Sequence, residues 1–321
     1  MRPIAALVGP LVPLAVTATL LAGCGSGSSA SPRPQVHVTG QFGKSPAVRI
    51  PTTKPGKSLV VKTVVKGNGQ QLGSTDSFVG NFVAYDWSGT KHNQLASTFT
   101  QGLPTLFAGK LLPGLEKALR GKPMGSRVLA VIPPADGYGS KGNPQGGIKG
   151  TDTLVFVIDM INDYTATSSA GGQQVSHGGG ALPTVGSAQG SAPSVTLPKG
   201  SPPKSLMVRT LVRGTGPAIT KGQYVITQYV GEIWRTKKVF DSSWQRRQPF
   251  GARIAAQPSQ VIPGWDKGLV GQTIGSRVLL VIPPSDGYGK TGNRQAGIKA
   301  TDSLVFVVDI LGAYSSAATS K

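Results

Sequence analysis

Residues 277–284 read Arg277-Val278-Leu279-Leu280-Val281-Ile282-Pro283-Pro284, and residues 127–134 read Arg127-Val128-Leu129-Ala130-Val131-Ile132-Pro133-Pro134. Each is an apolar, strand-like run that stops at a proline pair, because proline cannot donate to the ladder of a central strand. The two stretches belong to a longer duplication. Across residues 124–164 and 274–314, 27 of 41 positions are identical at a constant offset of 150. Upstream the match continues at a slightly different offset, with Ser58-Leu59-Val60-Val61-Lys62-Thr63 against Ser205-Leu206-Met207-Val208-Arg209-Thr210, and Trp87 against Trp234. Units of about 105–110 residues are too long for a solenoid repeat and suit self-sufficient domains. We set them at 57–164 and 204–315, with 316–321 as a tail.

Within a unit the pattern is mostly strand. Val225-Ile226-Thr227-Gln228-Tyr229-Val230 is β-branched and aromatic, and Leu304-Val305-Phe306-Val307-Val308-Asp309-Ile310 is a final strand. Only Pro263-Gly264-Trp265-Asp266-Lys267-Gly268-Leu269-Val270 reads as helix. Its leading proline suits a first helical position, where the missing N–H has no partner in any case. The fold class is therefore α+β: two like domains, each an antiparallel sheet with one short helix.

Gly (45) and Pro (25) together exceed a fifth of the 321 residues. Much of that falls in 24–56 and 165–203, which hold few large apolar residues. These segments read as a flexible tether and a disordered linker. The first 23 residues read as a signal peptide, with Arg2 followed by an apolar stretch from Ile4 to Ala22. Leu21-Ala22-Gly23-Cys24 has the layout of a bacterial lipobox. A membrane span is the alternative, and the stretch is borderline for the ~20 apolar residues a span needs. The position of Cys24, the chain's one cysteine, favours lipidation there. The expected location is the outer face of the cytoplasmic membrane.

The net charge is +20, from 33 basic and 13 acidic residues. The cations are scattered, with runs no longer than pairs such as Lys237-Lys238 and Arg246-Arg247. Without a zinc-finger, helix-turn-helix or RNA-binding pattern, dispersed charge reads as a solvated surface rather than a nucleic-acid interface. His37, His92 and His177 lack metal-ligand spacing. Gly67-Asn68-Gly69 and Gly214-Thr215-Gly216 read as turns after a first strand, not as a dinucleotide site.

Five short motifs follow one another in the second unit: Tyr229-Val230-Gly231, Phe240-Asp241-Ser242-Ser243, Val261-Ile262-Pro263-Gly264-Trp265, Gly287-Tyr288-Gly289 and Leu304-Val305-Phe306. Taken singly each is weak. In this order and spacing, over about 110 residues, they resemble the FKBP-type peptidyl-prolyl cis-trans isomerases. The resemblance implies a sheet wrapped around the short helix, leaving an apolar pocket for a proline ring. It implies Trp265 as the floor and Tyr229, Phe240, Phe250 and Phe306 as walls. Val261 and Ile262 would line the rim, with the Ile262 N–H on a substrate carbonyl. Tyr288 would offer its hydroxyl, Asp241 would sit at the edge with Arg246 as its ionic neighbour, and Ile298 would belong to a loop over the site. Lys299-Ala300 stands where the family often has two prolines. The resemblance further implies proline-containing unfolded or exported polypeptides as partners and macrolide inhibitors; no metal or cofactor is expected, because no covalent bond forms or breaks, and nothing indicates an oligomer, so a monomer is expected.

An X-Pro amide isomerises over tens to hundreds of seconds because rotation breaks its resonance. The planar amide is more dipolar than the twisted one, so a dry apolar pocket favours the twisted state relative to water. Aromatic walls therefore suit this chemistry, although aromatics on strands are also ordinary core residues.

The first unit keeps the scaffold and changes the site. Phe82 stands for Tyr229, Leu111-Leu112-Pro113-Gly114-Leu115 for Val261 to Trp265, and no acidic residue lies between Trp87 and Leu115. Leu95-Ala96-Ser97-Thr98 is the nearest match to the Phe-Asp-Ser-Ser segment. Tyr138, Ile148 and Phe156 persist. Two further readings stand beside an isomerase: a non-enzymatic chaperone using both pockets, and an envelope-binding structural lipoprotein whose binding would be salt-sensitive.

Overall fold

The computed structural model describes residues 35–176, 182–186 and 189–316. The leader, Cys24 and His177 lie outside the described residues. In chain order the strands of the first copy are β1 (His37–Thr39), β2 (Ala47–Arg49), β3 (Val60–Val65), β4 (Ser77–Ser88), β5 (Lys91–Ser97), β6 (Thr105–Phe107), β7 (Arg127–Ile132) and β8 (Thr153–Tyr164). Its helices are α1 (Thr98–Gln101) and α2 (Pro113–Leu119). The second copy follows with β9 (Gln173–Gln174), β10 (Thr184–Gly186), β11 (Ser194–Thr196), β12 (Met207–Arg213), β13 (Tyr224–Ile233), β14 (Lys238–Ser242), β15 (Phe250–Arg253), β16 (Arg277–Ile282) and β17 (Leu304–Tyr314). Its helices are α3 (Ser243–Arg246) and α4 (Pro263–Leu269).

Each copy builds one antiparallel sheet, ordered β3-β7-β8-β4-β5 with β6 on β4, and β14-β13-β17-β16-β12-β9 with β15 on β13. The central strands are buried along their length: every residue of Arg277–Ile282 is buried. The inner face closes on the seven-residue helix. In the second copy Trp265 and Leu269 of α4 pack with Val278, Leu280, Ile282, Leu304, Phe306 and Val308. In the first, Leu115, Ala118 and Leu119 of α2 pack with Val128, Ala130, Ile132 and Ile158. Beside the expected helix, each copy carries a four-residue helical turn, α1 or α3, that the sequence pattern did not show.

The outer face of each sheet is apolar too, and this corrects the reading of the Gly- and Pro-rich segments. Residues 35–56 carry the β1–β2 hairpin, with Val38 opposite Val48. Val36 and Ile50 bury against Trp87, Leu129, Val131, Val155 and Val157. Residues 165–203 carry the β10–β11 hairpin, with Val185 opposite Val195. Leu182, Val185, Val195 and Leu197 cover Trp234, Leu279, Val281, Val305 and Val307. The indoles fasten these arms, Trp87 Nε1 donating to the Thr53 carbonyl at 3.0 Å and Trp234 Nε1 to that of Gly200 at 3.1 Å. A mean composition hides the few apolar residues that alternate on a hairpin, and these suffice to cover one sheet face. The structural repeat is thus an arm plus a domain.

A second fastening lies at a buried ion pair. Arg127 and Asp159 are fully buried, with Nε to Oδ1 at 2.6 Å. The guanidinium also donates to the Gly40 and Lys44 carbonyls, and the Gly43 N–H donates to Asp159 Oδ2 at 2.7 Å. In the second copy Arg277 and Asp309 form the same pair, and the Ala170 N–H donates to Asp309 Oδ2 at 3.1 Å.

The two copies share one compact unit. They meet through equivalent residues: Val79 and Ile226 are buried together with Tyr164, against Ile161, Leu311 and Tyr314. The Tyr164 and Tyr314 hydroxyls are 2.6 Å apart. The Leu106 N–H crosses to the Tyr224 hydroxyl at 3.3 Å.

Candidate functional site

The cleft of the second copy forms where α4 meets the concave side of its sheet. Pro263 opens α4 with Ile262 as the extended cap residue, and the Ile262 carbonyl accepts from the Trp265 N–H at 2.9 Å. That turn seats Trp265 at the base. Its ring lies edge-on to Tyr229 at 5.2 Å, Phe306 at 5.4 Å and Phe250 at 6.1 Å, all near 89°. Phe240 stands edge-on to Phe306 at 5.6 Å. Edge-to-face contacts of this kind are the favoured arrangement of aromatic quadrupoles. The cleft holds about 190 Å³ and is lined by Tyr229, Phe240, Asp241, Phe250, Gln260, Val261, Ile262, Trp265, Tyr288 and Phe306.

Gly231 makes room for it. A Cβ there would sit 2.7 Å from Phe306 Cε1 and 3.0 Å from Phe240 Cζ, closer than carbon atoms pack. Phe240 itself is the bulged residue of β14, because Gly231 pairs with Asp241 and Glu232 with Val239.

The polar edge is a three-membered network. The Tyr229 hydroxyl donates to Asp241 Oδ2, and Arg246 closes on Asp241 Oδ1. A second guanidinium nitrogen donates to the Tyr229 oxygen at 2.9 Å. Burial, with the Asp241 hydrogen bond and charge adding to it, holds the Tyr229 phenol well above its ordinary value, against the pull of Arg246. Tyr288 is raised in the same direction, first by burial and then by the Asp241 charge, while a bond with Asn293 opposes. Both phenols are therefore neutral donors at physiological pH.

Helix α3 aims Arg246 at this network. Ser242 caps it, accepting from the Gln245 N–H at 3.3 Å. The Ser243 hydroxyl accepts from the Tyr229 N–H at 2.7 Å and donates to Gln228 Oε1. Gln228 Nε2 reaches the Ala166 carbonyl at 3.2 Å, so a buried chain of polar groups joins the cleft to the arm.

The structure brings Tyr229, Phe240, Asp241, Phe250, Val261, Ile262, Trp265, Tyr288 and Phe306 to one cleft. Arg246 stands behind it, on Asp241 and Tyr229. Ile298 is not among the lining residues; at 3% exposure it is buried in the cluster that also holds Tyr229, Trp265 and Phe306. Gln260 was missed. Its side chain accepts from the Arg253 N–H at 2.9 Å, and nothing in the motif pattern marks it. Among the described residues no His, Cys, Asp and Glu group could hold a metal ion.

Strand register settles the alignment of the first copy. Ala84 pairs with Ala96 as Gly231 pairs with Asp241, so Ala96 stands for the carboxylate and the bulged Leu95 for Phe240. Thr98 matches Ser243, its hydroxyl accepting from the Phe82 N–H at 2.8 Å. Gly80 pairs with Thr105 as Thr227 does with Phe250, so that aromatic wall is also absent. Ala84 carries the Cβ that Gly231 lacks. Phe107 stacks on Phe78 at 4.5 Å and meets Phe82 at 5.7 Å, an aromatic set the second copy does not have.

The sequence model of the FKBP-type peptidyl-prolyl cis-trans isomerases matches residues 74–161 and 216–311, more than half of the chain. The chain belongs to this family. It is a peptidyl-prolyl cis-trans isomerase built from two FKBP domains. It is similar to an FK506-binding protein of Streptomyces anulatus, 38% identical over 119 residues, covering 37% of this chain and 94% of that protein. It is also similar to the peptidyl-prolyl cis-trans isomerase FKBP9 of Rattus norvegicus, 26% identical over 242 residues, 73% of this chain and 35% of that one. Among solved structures, FkpA from Escherichia coli is 34% identical, with a TM-score of 0.32, covering 35% of this chain and 49% of that one.

Proposed function

We propose that the second FKBP domain carries out proline isomerisation and that the first holds polypeptide or spaces the site without turning over. The observation that carries this is the pairing of Asp241 with Gly231 against that of Ala96 with Ala84. One copy has a glycine and a carboxylate at this pair; the other has two methyl groups in their place, with Leu115 for Trp265.

The chemistry follows from the cleft. A proline ring seated on Trp265 is held by apolar contact on several sides, and water is excluded from the preceding amide. Twisting that amide reduces its dipole, so the apolar cleft opposes the twist less than water does. No covalent bond changes, and no group must give up a proton. Asp241, fixed by Tyr229 and Arg246, orients the field along the cleft edge. Tyr288 and the Ile262 N–H, ahead of the α4 ladder, are placed to take substrate carbonyls. Macrolides of the FK506 type suit the same apolar cleft.

Export and anchoring belong to this reading. The leader up to Gly23 and acylation at Cys24 place the enzyme on the outer face of the cytoplasmic membrane, as a monomer acting on exported chains. What supports this is the sequence of residues 1–29. Among the described residues no helix is long and apolar enough to cross a membrane. Replacing Cys24 by Ala moves the protein from the membrane fraction to the soluble one if the anchor is a lipid on that thiol; unchanged fractionation contradicts it.

The test of site assignment uses the four tryptophans, Trp87, Trp234, Trp244 and Trp265. Only Trp265 lines the cleft. A proline tetrapeptide titrated into the full chain shifts the Trp265 indole resonance. Turnover with no change at Trp265 refutes the assignment.

A further inference from the structure

The strand that carries one wall of the cleft rests on the other domain. Phe250 opens β15, a four-residue edge strand that pairs, among the described residues, with β13 alone. Its ring stands edge-on to Tyr229 at 5.7 Å and to Trp265 at 6.1 Å. A short edge strand with a single ladder opens easily, so a wall built on one needs support from behind. The next residue, Gly251, faces the other way, as neighbours on a strand do. On that side the Tyr224 phenol lies against it. A Cβ at 251 would collide with the Tyr224 hydroxyl and sit 2.7 Å from Cζ, so glycine alone leaves room for the ring. The Tyr224 hydroxyl in turn accepts from the Leu106 N–H of the first domain at 3.3 Å, and the Thr105 side chain bonds to it too. Tyr224 and Leu106 pack on one apolar cluster with Val79, Tyr164 and Ile226. Past Leu106 the first domain also touches Gln248, two residues before Phe250, where Gly109 lies beside its amide.

The two sides of this joint come from equivalent elements and are not equal. In the second copy Ile226 pairs with Gly251 on one side and Gly312 on the other. In the first, Val79 pairs with Leu106 and Asn162. The second copy thus has hollows where the first carries side chains. Tyr164 of the first domain enters the hollow at Gly312, as Tyr224 enters the one at Gly251. Tyr224 pairs with Tyr314 as Ser77 pairs with Tyr164, so the counterpart of this phenol is a serine and no equivalent ring backs β6. The support runs one way, toward the copy whose cleft has the carboxylate and Trp265.

We propose that the first domain is a positioning part of the isomerase site: through Leu106 on Tyr224 it backs β15 and holds Phe250 against the proline ring. This rests on the reading that the second domain turns over proline. Tyr224 and Leu106 touch neither substrate nor cleft, and they act through the strand between them and Phe250. Misplacing a group that fixes the substrate by about 1 Å is enough to cost binding and rate. The loss expected here is in KM, because Phe250 holds the ring in the ground state and in the twisted state alike.

The test measures turnover of a proline tetrapeptide by the full chain, with KM and kcat read separately, and follows the Phe250 ring resonances. Tyr224→Phe keeps the ring and loses the hydroxyl that meets Leu106. Leu106→Ala empties part of the joint. Each is expected to raise KM about threefold to tenfold, the span of one neutral hydrogen bond, with kcat within about twofold and the Phe250 resonances shifted. Leu106→Met refills the joint and restores KM. Tyr164→Phe breaks the hydroxyl pair with Tyr314 and leaves the support of β15 in place, so KM stays as in the native chain. Native KM and unshifted Phe250 resonances in both Tyr224→Phe and Leu106→Ala overturn the proposal. A rise in KM shared by Tyr164→Phe overturns it as well, since general loosening of the joint would then account for the effect. Trp265→Leu combined with Asp241→Ala separates the two claims. If turnover survives that change, the second-domain reading fails and this inference with it; if turnover is lost while Tyr224→Phe and Leu106→Ala behave as native, only this inference fails.

Discussion

Replacing Arg127 by Met tests the claim that each arm is fastened through the buried ion pair under its sheet. The side chains of Arg127 and Asp159 are both fully buried. Met keeps most of the volume and removes the charge, which strands the carboxylate with a single donor, the Gly43 N–H at 2.7 Å. Removing one partner of a buried pair costs about 3–5 kcal/mol, most of it from the uncompensated charge. For a unit of this size each kcal/mol lowers the melting temperature by about 4 °C, so the first copy melts about 12–20 °C lower. The variant also frees the Gly40 and Lys44 carbonyls, so the β1–β2 arm exchanges its amide hydrogens faster. The exposed pair Lys117–Asp136, at 2.5 Å but with the lysine 60% exposed, is the contrast: Lys117→Ala costs under about 1 kcal/mol. Arg127→Met with Asp159→Leu removes both charges and recovers most of the loss. Hydrogen exchange and calorimetry on the full chain measure all three variants. A loss below about 1 kcal/mol in Arg127→Met, with residues 35–56 still protected, refutes the reasoning.

Other expectations are as direct. Gly231→Ala puts a methyl group where Phe306 and Phe240 close in; overpacking of this kind costs about 1–3 kcal/mol, so the melting temperature falls and proline turnover falls with it, and unchanged turnover contradicts the packing argument. Tyr229→Phe removes the donor to Asp241 and the acceptor for Arg246, and a charge-assisted bond of this kind is worth about 1–2 kcal/mol, so kcat/KM falls roughly tenfold. Gln228→Leu leaves the Ser243 hydroxyl without its acceptor and lowers stability by about 1–3 kcal/mol, read by urea unfolding. Burial raises the Tyr164 and Tyr314 phenols above their ordinary value of 10.0, so the folded chain keeps protons that the unfolded chain has lost. Their contribution to stability is complete below pH ~10 and is lost as pH rises beyond it. The melting temperature therefore falls above that pH, less steeply with both changed to Phe. Titration at the ordinary value with the fold intact would sink this account.

The strands that carry the site were legible because their composition is extreme. Val278–Ile282 and Leu304–Phe306 are apolar without interruption, and the helix from Pro263 announces itself by its proline and by Trp265. The cleft residues were legible through the family resemblance, since aromatics on strands read equally well as core. Where the copies diverge, sequence alone fell short. Leu95-Ala96-Ser97-Thr98 is the nearest match to the Phe240-Asp241 segment, and strand pairing fixes it: the hairpin before it is two residues longer in the first copy, so the offset falls from 147 at Ala84 and Gly231 to 145 at Ala96 and Asp241. Thr105 opposite Gly80 and the methyl of Ala84 were not read from the sequence. Ile298, expected in a loop over the site, is buried in the same cluster as Tyr229, Trp265 and Phe306.

The arms escaped for a different reason. Val36, Val38, Val48 and Ile50 are too few to form a core of their own, and their stretch averages to a linker. Their partner is the outer sheet face, which is apolar on Leu129, Val131, Val155 and Val157 and must be covered by something. Those strands were read as apolar throughout, so the need for a cover was present in the sequence without a sign of what met it. The joint between copies was equally hidden. Tyr164 and Tyr314 are an identical pair at the end of the repeat, but identity does not say that equivalent residues touch.

Exchange spectroscopy on a proline tetrapeptide tests the division of labour between the copies most directly. A trace of the full chain is added, and the cis and trans resonances report the rate of interconversion. The account predicts fast exchange with the native chain and with Leu115→Ala, and exchange reduced at least a hundredfold with Trp265→Leu combined with Asp241→Ala. Exchange that survives the double change in the second domain, or that disappears with Leu115→Ala, would place the catalysis in the first domain and contradict the account.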